Sequence, residues 1–234
     1  MKKILLIAFT LVLALGSTQA QNKASKVSAT PTGDTPTAVN LQTSPKHIDL
    51  PEQHEGLDAP LFKALSERRT IRDFKEEELP PEMISSLLWA AYGINRKDEM
   101  KRVAPSAVNV QEFDIYLFTR DGIYLYSAEK NCIDLVATGD HRAEISAQKH
   151  FAVAPVSVVI VANYDRMKVF KSEADRDFYA AVDAGYVSQN IYLFCSSADL
   201  GTVACGGINR DTIHKILKIQ NGKAILAHPV GMPL

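Results

Sequence analysis

Glu67-Arg68-Arg69-Thr70-Ile71-Arg72-Asp73-Phe74 packs three arginines into five residues, with a hydroxyl among them. Guanidinium groups hold their charge and present planar donors that suit phosphate oxygens and electron-rich rings. Two readings of the stretch stand side by side. It is a solvated charged face, as most such runs are, or it is the rim of a site for an anionic ligand. Just upstream, Asp58-Ala59-Pro60 places an acid near an N-cap and a proline in the first turn, so a helix is expected to start there. Leu61, Phe62, Ala64 and Leu65 give that helix an apolar face leading into the arginines.

Further upstream the composition changes. Lys2-Lys3 precede an apolar run from Ile4 to Gly16 and the small-residue end Ser17-Thr18-Gln19-Ala20. Residues 1–20 therefore read as a cleaved secretory signal peptide. The apolar run falls short of the roughly 20 residues that span a bilayer. No cysteine sits just after the cleavage region, and the basic end has no twin arginine. The expectation is an exported, periplasmic chain that neither carries a lipid anchor nor spans the membrane. Residues 21–50 are rich in Ser, Thr, Pro, Asn and Gln, and a flexible arm or linker is expected over 21–56. The folded domain is expected over 57–234.

Charge and cysteine usage narrow the function classes. The chain carries 26 Lys and Arg against 27 Asp and Glu; losing Lys2 and Lys3 leaves 24 against 27, a net charge of −3. Nucleic-acid binding asks for a basic surface, so no nucleic-acid partner is expected. Cys132, Cys195 and Cys205 are odd in number and can form at most one disulfide. Their spacing lacks the close pairs of a zinc site, and the histidines form no H-E-x-x-H. His141, Glu144 and His150 share a segment read as surface helix. No metal site is expected.

Downstream, Phe74 to Leu79 is an acidic connector. Pro80-Pro81-Glu82 opens a helix carrying Met83, Ile84, Leu87, Leu88 and Ala91 at helical spacing. A polar loop is expected over 95–102. Residues 113–118 alternate as a strand, Asp121-Gly122 marks a tight turn, and residues 123–126 return as the second strand of a hairpin. Residues 131–151 read as largely helical. Residues 156–162 form a β-branched run expected to be covered on both faces. Residues 175–200 make the longest helix, apolar nearly all round, and so buried within its own domain or between subunits. Gly201 is its expected stop. A short strand follows over 202–207, then a helix capped by Asn209 through Ile219, then a last strand over 224–230. The class is α+β.

Two more constellations carry polar chemistry. Pro105-Ser106-Ala107-x-Asn109-x-Gln111 offers a hydroxyl and two amides ahead of a strand. Ala204-Cys205-Gly206-Gly207 ends in two glycines, whose bare backbone lets a flat ligand approach free N–H groups. Each alone also reads as an ordinary loop or turn.

Taken in order with Leu200-Gly201-x-Val203-x-x-Gly206-Gly207 and the Pro-Val-Gly of the last strand, these motifs resemble the nitroreductase family of flavin enzymes. The resemblance covers about Leu61 to Leu234. It implies a mixed, mainly antiparallel sheet flanked by helices, in an entwined homodimer with FMN at the subunit interface. Arg68 and Thr70, with Arg69 between them, match positions at the FMN phosphate and ribityl chain. Arg72 matches the basic residue at the ring edge where negative charge builds on reduction, and a fixed cation there is stabilising. Pro105, Ser106, Ala107 and Asn109 match a loop lent by the other subunit. Cys205, Gly206 and Gly207 match the turn whose backbone N–H faces the flavin N5. Cys205 reads as a packed thiol.

The resemblance implies that hydride passes between a reduced donor such as NAD(P)H and an acceptor such as a nitroaromatic or quinone. No side chain is expected to act as a catalytic acid or base. Catalysis would be positioning over one flavin face. Two other readings are a flavin-binding protein without turnover and an exported flavin dehydrogenase that oxidises its own substrate. The sequence departs from the family in two places. The family commonly has a carboxylate where Gly206 stands, and it often has basic residues after the last strand, where this sequence reads Gly231-Met232-Pro233-Leu234. The phosphate is therefore expected to rest mainly on the arginine cluster.

Overall fold

The computed structural model describes residues 44–53 and 60–234. The expected signal peptide, the start of the arm and the Asp58-Ala59 helix start lie outside the described residues.

Seven strands form one sheet. In chain order they are β1 (His47–Asp49), β4 (Phe113–Phe118), β5 (Gly122–Ser127), β6 (Cys132–Thr138), β7 (Val156–Asn163), β8 (Gly201–Thr202) and β9 (Gly222–Gly231). Their spatial order is β1-β6-β5-β4-β7-β9-β8, and every pairing among the described residues is antiparallel. Two short strands, β2 (Ile94–Arg96) and β3 (Lys101–Arg102), form a separate hairpin where a polar loop was expected. Among the described residues there are five α-helices: α1 (Leu61–Glu67), α2 (Pro81–Tyr92), α3 (His150–Val153), α4 (Glu173–Ser197) and α5 (Arg210–Leu217).

Strand alternation sorts the core into two layers. Ile115 and Leu117 of β4 and Val158 and Ile160 of β7 point one way, packing with Leu87 and Leu88 of α2 and Val187 and Ile191 of α4. Tyr116, Phe118, Val159 and Val161 point the other way, toward Phe151 of α3 and Ile213 and Leu217 of α5. β7 is thus covered on both faces, as its β-branched run predicts. Each such aliphatic side chain contributes about 1.5–3 kcal/mol when fully buried.

Several expectations need correction. The sheet begins before Leu57. His47, Ile48 and Asp49 pair with Asp134, Ile133 and Cys132, so residues 47–49 of the expected arm are an edge strand. Residues 131–151 are not largely helical. β6 occupies the first part, because Ile133 and Leu135 face Tyr126 and Tyr124 across the ladder and pack into the core. The long helix ends at Ser197, with Asp199 rather than Gly201 in the left-handed region (φ 54°). Gly201 is small for another reason: a Cβ there would meet Ile71 Cγ2 at 2.8 Å and Phe74 Cε1 at 3.1 Å. The apolar face of α1 is also largely exposed. Only Ala64 is covered, while Leu61, Phe62 and Leu65 are exposed.

Candidate functional site

The arginine segment is an extended strap across one end of the sheet. Ile71 N–H donates to the Thr202 carbonyl, Lys75 N–H donates to Met232, and Phe74 bridges to Pro233. Phe74 is buried, so the chain is pinned there while Arg69, Thr70 and Arg72 stay exposed. Arg68, Arg69 and Arg72 form no ion pair among the described residues. Three uncompensated guanidinium groups on one short strap favour an anion. A cleft of about 530 Å³ opens beside Arg68 and Arg69, with Ile71, Tyr192 and Leu200 among its walls.

Tyr192 joins this strap to the glycine turn. The Arg68 guanidinium lies 5.1 Å from the centre of its ring. Its hydroxyl accepts from the Ala204 N–H at 2.9 Å and shares a hydrogen bond with Thr70 Oγ1 at 3.1 Å. Below it, His228 is fully buried between Ser188 and Thr202, and burial lowers its pKa to about 3, so the ring is neutral.

The turn itself is fixed from behind. Cys205 exchanges both backbone hydrogen bonds with Ala227 of β9. The Gly206 carbonyl accepts from Arg210 and the Gly207 carbonyl accepts from Ser146. The N–H groups of Gly206 and Gly207 donate to nothing among the described residues, and both residues are exposed. A Cβ at either would make only ordinary contact, with Leu226 or Gln148 at 3.7–3.8 Å. Nothing within the chain demands glycine here; a flat body laid on the turn would.

Cys205 Sγ lies 3.6 Å from His150 Nε2. Burial raises the thiol pKa against the pull of Arg72. Burial and then the charge of Arg72 lower that of His150. Both groups are neutral, so the pair is a thiol packed on an imidazole and not an activated nucleophile. His150 is correspondingly no surface-helix residue. His141 and Glu144 do pair on the surface, at 2.8 Å.

The Pro105–Gln111 loop is built differently. Val108, Asn109 and Gln111 all have positive φ (45°, 57° and 48°), which for a β-branched valine costs on the order of 1–3 kcal/mol. The loop is tied down where the Ala107 N–H donates to Asp183 Oδ2 of α4 at 2.7 Å and Ser106 Oγ accepts from the Gln111 N–H. Glu112, directly after it, is fully buried, and neither carboxyl oxygen has a hydrogen-bond partner among the described residues. Burial, reinforced by Asp183, holds the Glu112 carboxyl well above the usual carboxylate range, and burial raises Asp183 as well.

Within one chain, then, the structure brings Arg68, Thr70 and Arg72 to Cys205, Gly206 and Gly207, but not to Pro105, Ser106, Ala107 and Asn109. Asp183 and Tyr192 are nine residues apart on α4, about 13.5 Å along the axis and on opposite sides. Sequence reading missed Tyr192, Asp183, Glu112 and His150. Asp183 left one signal, a lone acid on the buried face between Ala180 and Val187.

The Nitroreductase family model matches residues 65–232. The chain belongs to the nitroreductase family. A candidate nitroreductase of Methanocaldococcus jannaschii is 34% identical over 195 residues, which is 79% of this chain and 95% of that protein. The crystal structure of a candidate nitroreductase from Ralstonia eutropha superposes with a TM-score of 0.77 at 33% identity, covering 82% of this chain and 91% of that one. The NADPH:FMN oxidoreductase of Vibrio harveyi shares the fold at 19% identity, with a TM-score of 0.55 over 74% of this chain and 68% of that one. As a nitroreductase-family protein the chain is a flavin-dependent oxidoreductase.

Proposed function

We propose that the chain binds FMN and transfers hydride between a reduced donor such as NAD(P)H and an acceptor such as a nitroaromatic or quinone. One observation carries this: Tyr192 bonds both Thr70 of an arginine strap without acid partners and Ala204 of a turn that offers free N–H donors. When bound, FMN supplies the hydride chemistry. Arg68, Arg69 and Thr70 would hold its phosphate, Arg72 would supply a fixed positive charge, and the N–H groups of Gly206 and Gly207 would donate to its ring. Cys205 and His150, both neutral, pack behind the turn.

The active form in this reading is a homodimer, in which a second copy lends its Pro105–Asn109 loop to complete the site. Two features support it. The loop stands apart from the strap of its own chain, and Phe178, Val182 and Tyr186 expose an apolar stripe at four-residue spacing along α4. We place the protein outside the cytoplasm, exported through the 1–20 signal. No described helix is long and apolar enough to cross a membrane.

Purification followed by a visible spectrum tests the reading. Yellow protein, bleached under anaerobic conditions by NADH or NADPH and recoloured by a quinone, is the expected outcome. Colourless protein that takes up no added FMN would refute it.

A further inference from the structure

The sheet edge farthest from β8 carries a second constellation, unrelated to the arginine strap. The β1–β6 register sets His47 opposite Asp134 and Asp49 opposite Cys132. Strand alternation puts these four side chains on one face. Ile48 and Ile133 point to the other, into the core. His47 Nδ1 lies 2.6 Å from Asp134 Oδ1. The ligand atoms of His47, Cys132 and Asp134 all fall within 4.8 Å of one another. On the far side of the imidazole, Asp49 Oδ1 is 3.2 Å from Nε2.

We propose that this is a site for a borderline divalent metal ion, with Zn²⁺ the best fit. His47 Nδ1, Cys132 Sγ and an Asp134 oxygen would be its ligands, and water would take the fourth place. The donor set argues for the metal class. Nitrogen, sulfur and one carboxylate suit Zn²⁺ and its neighbours, whereas Ca²⁺ and Mg²⁺ require a shell of oxygens. Asp49 is placed to accept the Nε2 proton, which leaves Nδ1 unprotonated toward the ion. That is the carboxylate–histidine–metal arrangement that fixes a ligand's tautomer. Charge also balances: one thiolate and one carboxylate neutralise a dication beside a neutral imidazole. Binding releases the Cys132 proton, together with the extra imidazole proton wherever His47 carries one.

The ion would clip residues 44–53 to the sheet. Their other ties are the β1–β6 ladder, the packing of Ile48 and Leu50 against the core, and hydrogen bonds such as Leu135 N–H to the Lys46 carbonyl, Leu50 N–H to the Asn131 carbonyl and Ser85 Oγ to the Pro51 carbonyl. The ligands come from segments more than eighty residues apart, so no local spacing in the sequence announces them.

Untagged protein stripped with a chelator and titrated with Co²⁺ and Zn²⁺ tests this. One equivalent should bind per chain, and Co²⁺ should give a thiolate-to-metal charge-transfer band. His47→Gln and Cys132→Ser should each abolish that band. Asp49→Asn should keep it while lowering affinity about tenfold to a hundredfold. His47 and Asp49 are exposed, so their variants stay informative if the buried Cys132→Ser chain fails to fold. A wild-type protein without the band, a band surviving either ligand change, or unaltered Zn²⁺ affinity in His47→Gln would overturn the proposal and leave only a histidine ion-paired with two aspartates. None of these readouts depends on flavin.

Discussion

Two regions hang from opposite sides of α4, and they are held in opposite ways. The arginine strap rests on Tyr192, through a ring contact with Arg68 and a hydroxyl hydrogen bond with Thr70, over a neutral buried histidine. The Pro105–Gln111 loop rests on Asp183, through one backbone bond, over a buried acid pair, and it stores strain at Val108. The first is a rigid platform with its charges left free. The second is a tethered, strained projection whose Val108 is exposed at the tip. That difference fits the proposed homodimer, in which one copy would give the floor and the other the loop.

Substitutions can break each side separately. Gly201→Ala drives a methyl into Ile71 and Phe74, the residues that seat the strap. Overpacking of this kind costs about 1–3 kcal/mol. Denaturant unfolding should show that loss, and flavin retention should fall with it. An unchanged midpoint would mean the strap floats free of β8. Asp183→Ala removes the acceptor of the Ala107 N–H. An unpaired donor costs about 1–3 kcal/mol when buried, and here Ala107 is only half-buried and relief of Glu112 offsets part of the loss. The net loss is therefore smaller, and hydrogen exchange should quicken over residues 106–110 while the strap amides hold. Equal quickening at both regions would contradict their independence.

The two sides also answer pH with opposite sign. His228 has its pKa lowered from 6.5 to about 3, so the unfolded chain binds the extra proton first. Its contribution to stability is complete above pH 6.5 and is lost as pH falls toward 3. Glu112 has its pKa raised by burial and by Asp183, so the folded chain keeps a proton that the unfolded chain gives up. Its contribution is complete below the ordinary carboxylate pKa of 4.5 and is lost as pH rises through the elevated value. Thermal unfolding across pH should show Glu112→Gln removing the decline on the alkaline side and leaving the acid limb in place. A variant with the wild-type alkaline slope would show that the proton resides elsewhere.

Local chemistry in the sequence reached far but not everywhere. Pro80-Pro81 marks the start of α2, and Asp121-Gly122 marks the β4–β5 turn, because both signals act within a few residues. β6 was missed because a run such as Asp134-Leu135-Val136-Ala137 fits either period until a neighbouring strand decides it. The site splits the same way. Arg68, Thr70, Arg72 and the Cys205–Gly207 turn are contiguous motifs, so the sequence could offer them. Tyr192 is one apolar-looking residue in an apolar helix, and Asp183 acts on Glu112 from 71 positions away. Only the fold reveals either as an anchor.

The central claim is that strap and turn together hold FMN. Fluorescence titration of flavin-free wild type and of Arg68→Ala/Arg72→Ala tests it most directly. The account predicts saturable quenching by wild type and markedly weaker binding by the folded double variant. Equal FMN affinity in the two proteins would contradict it.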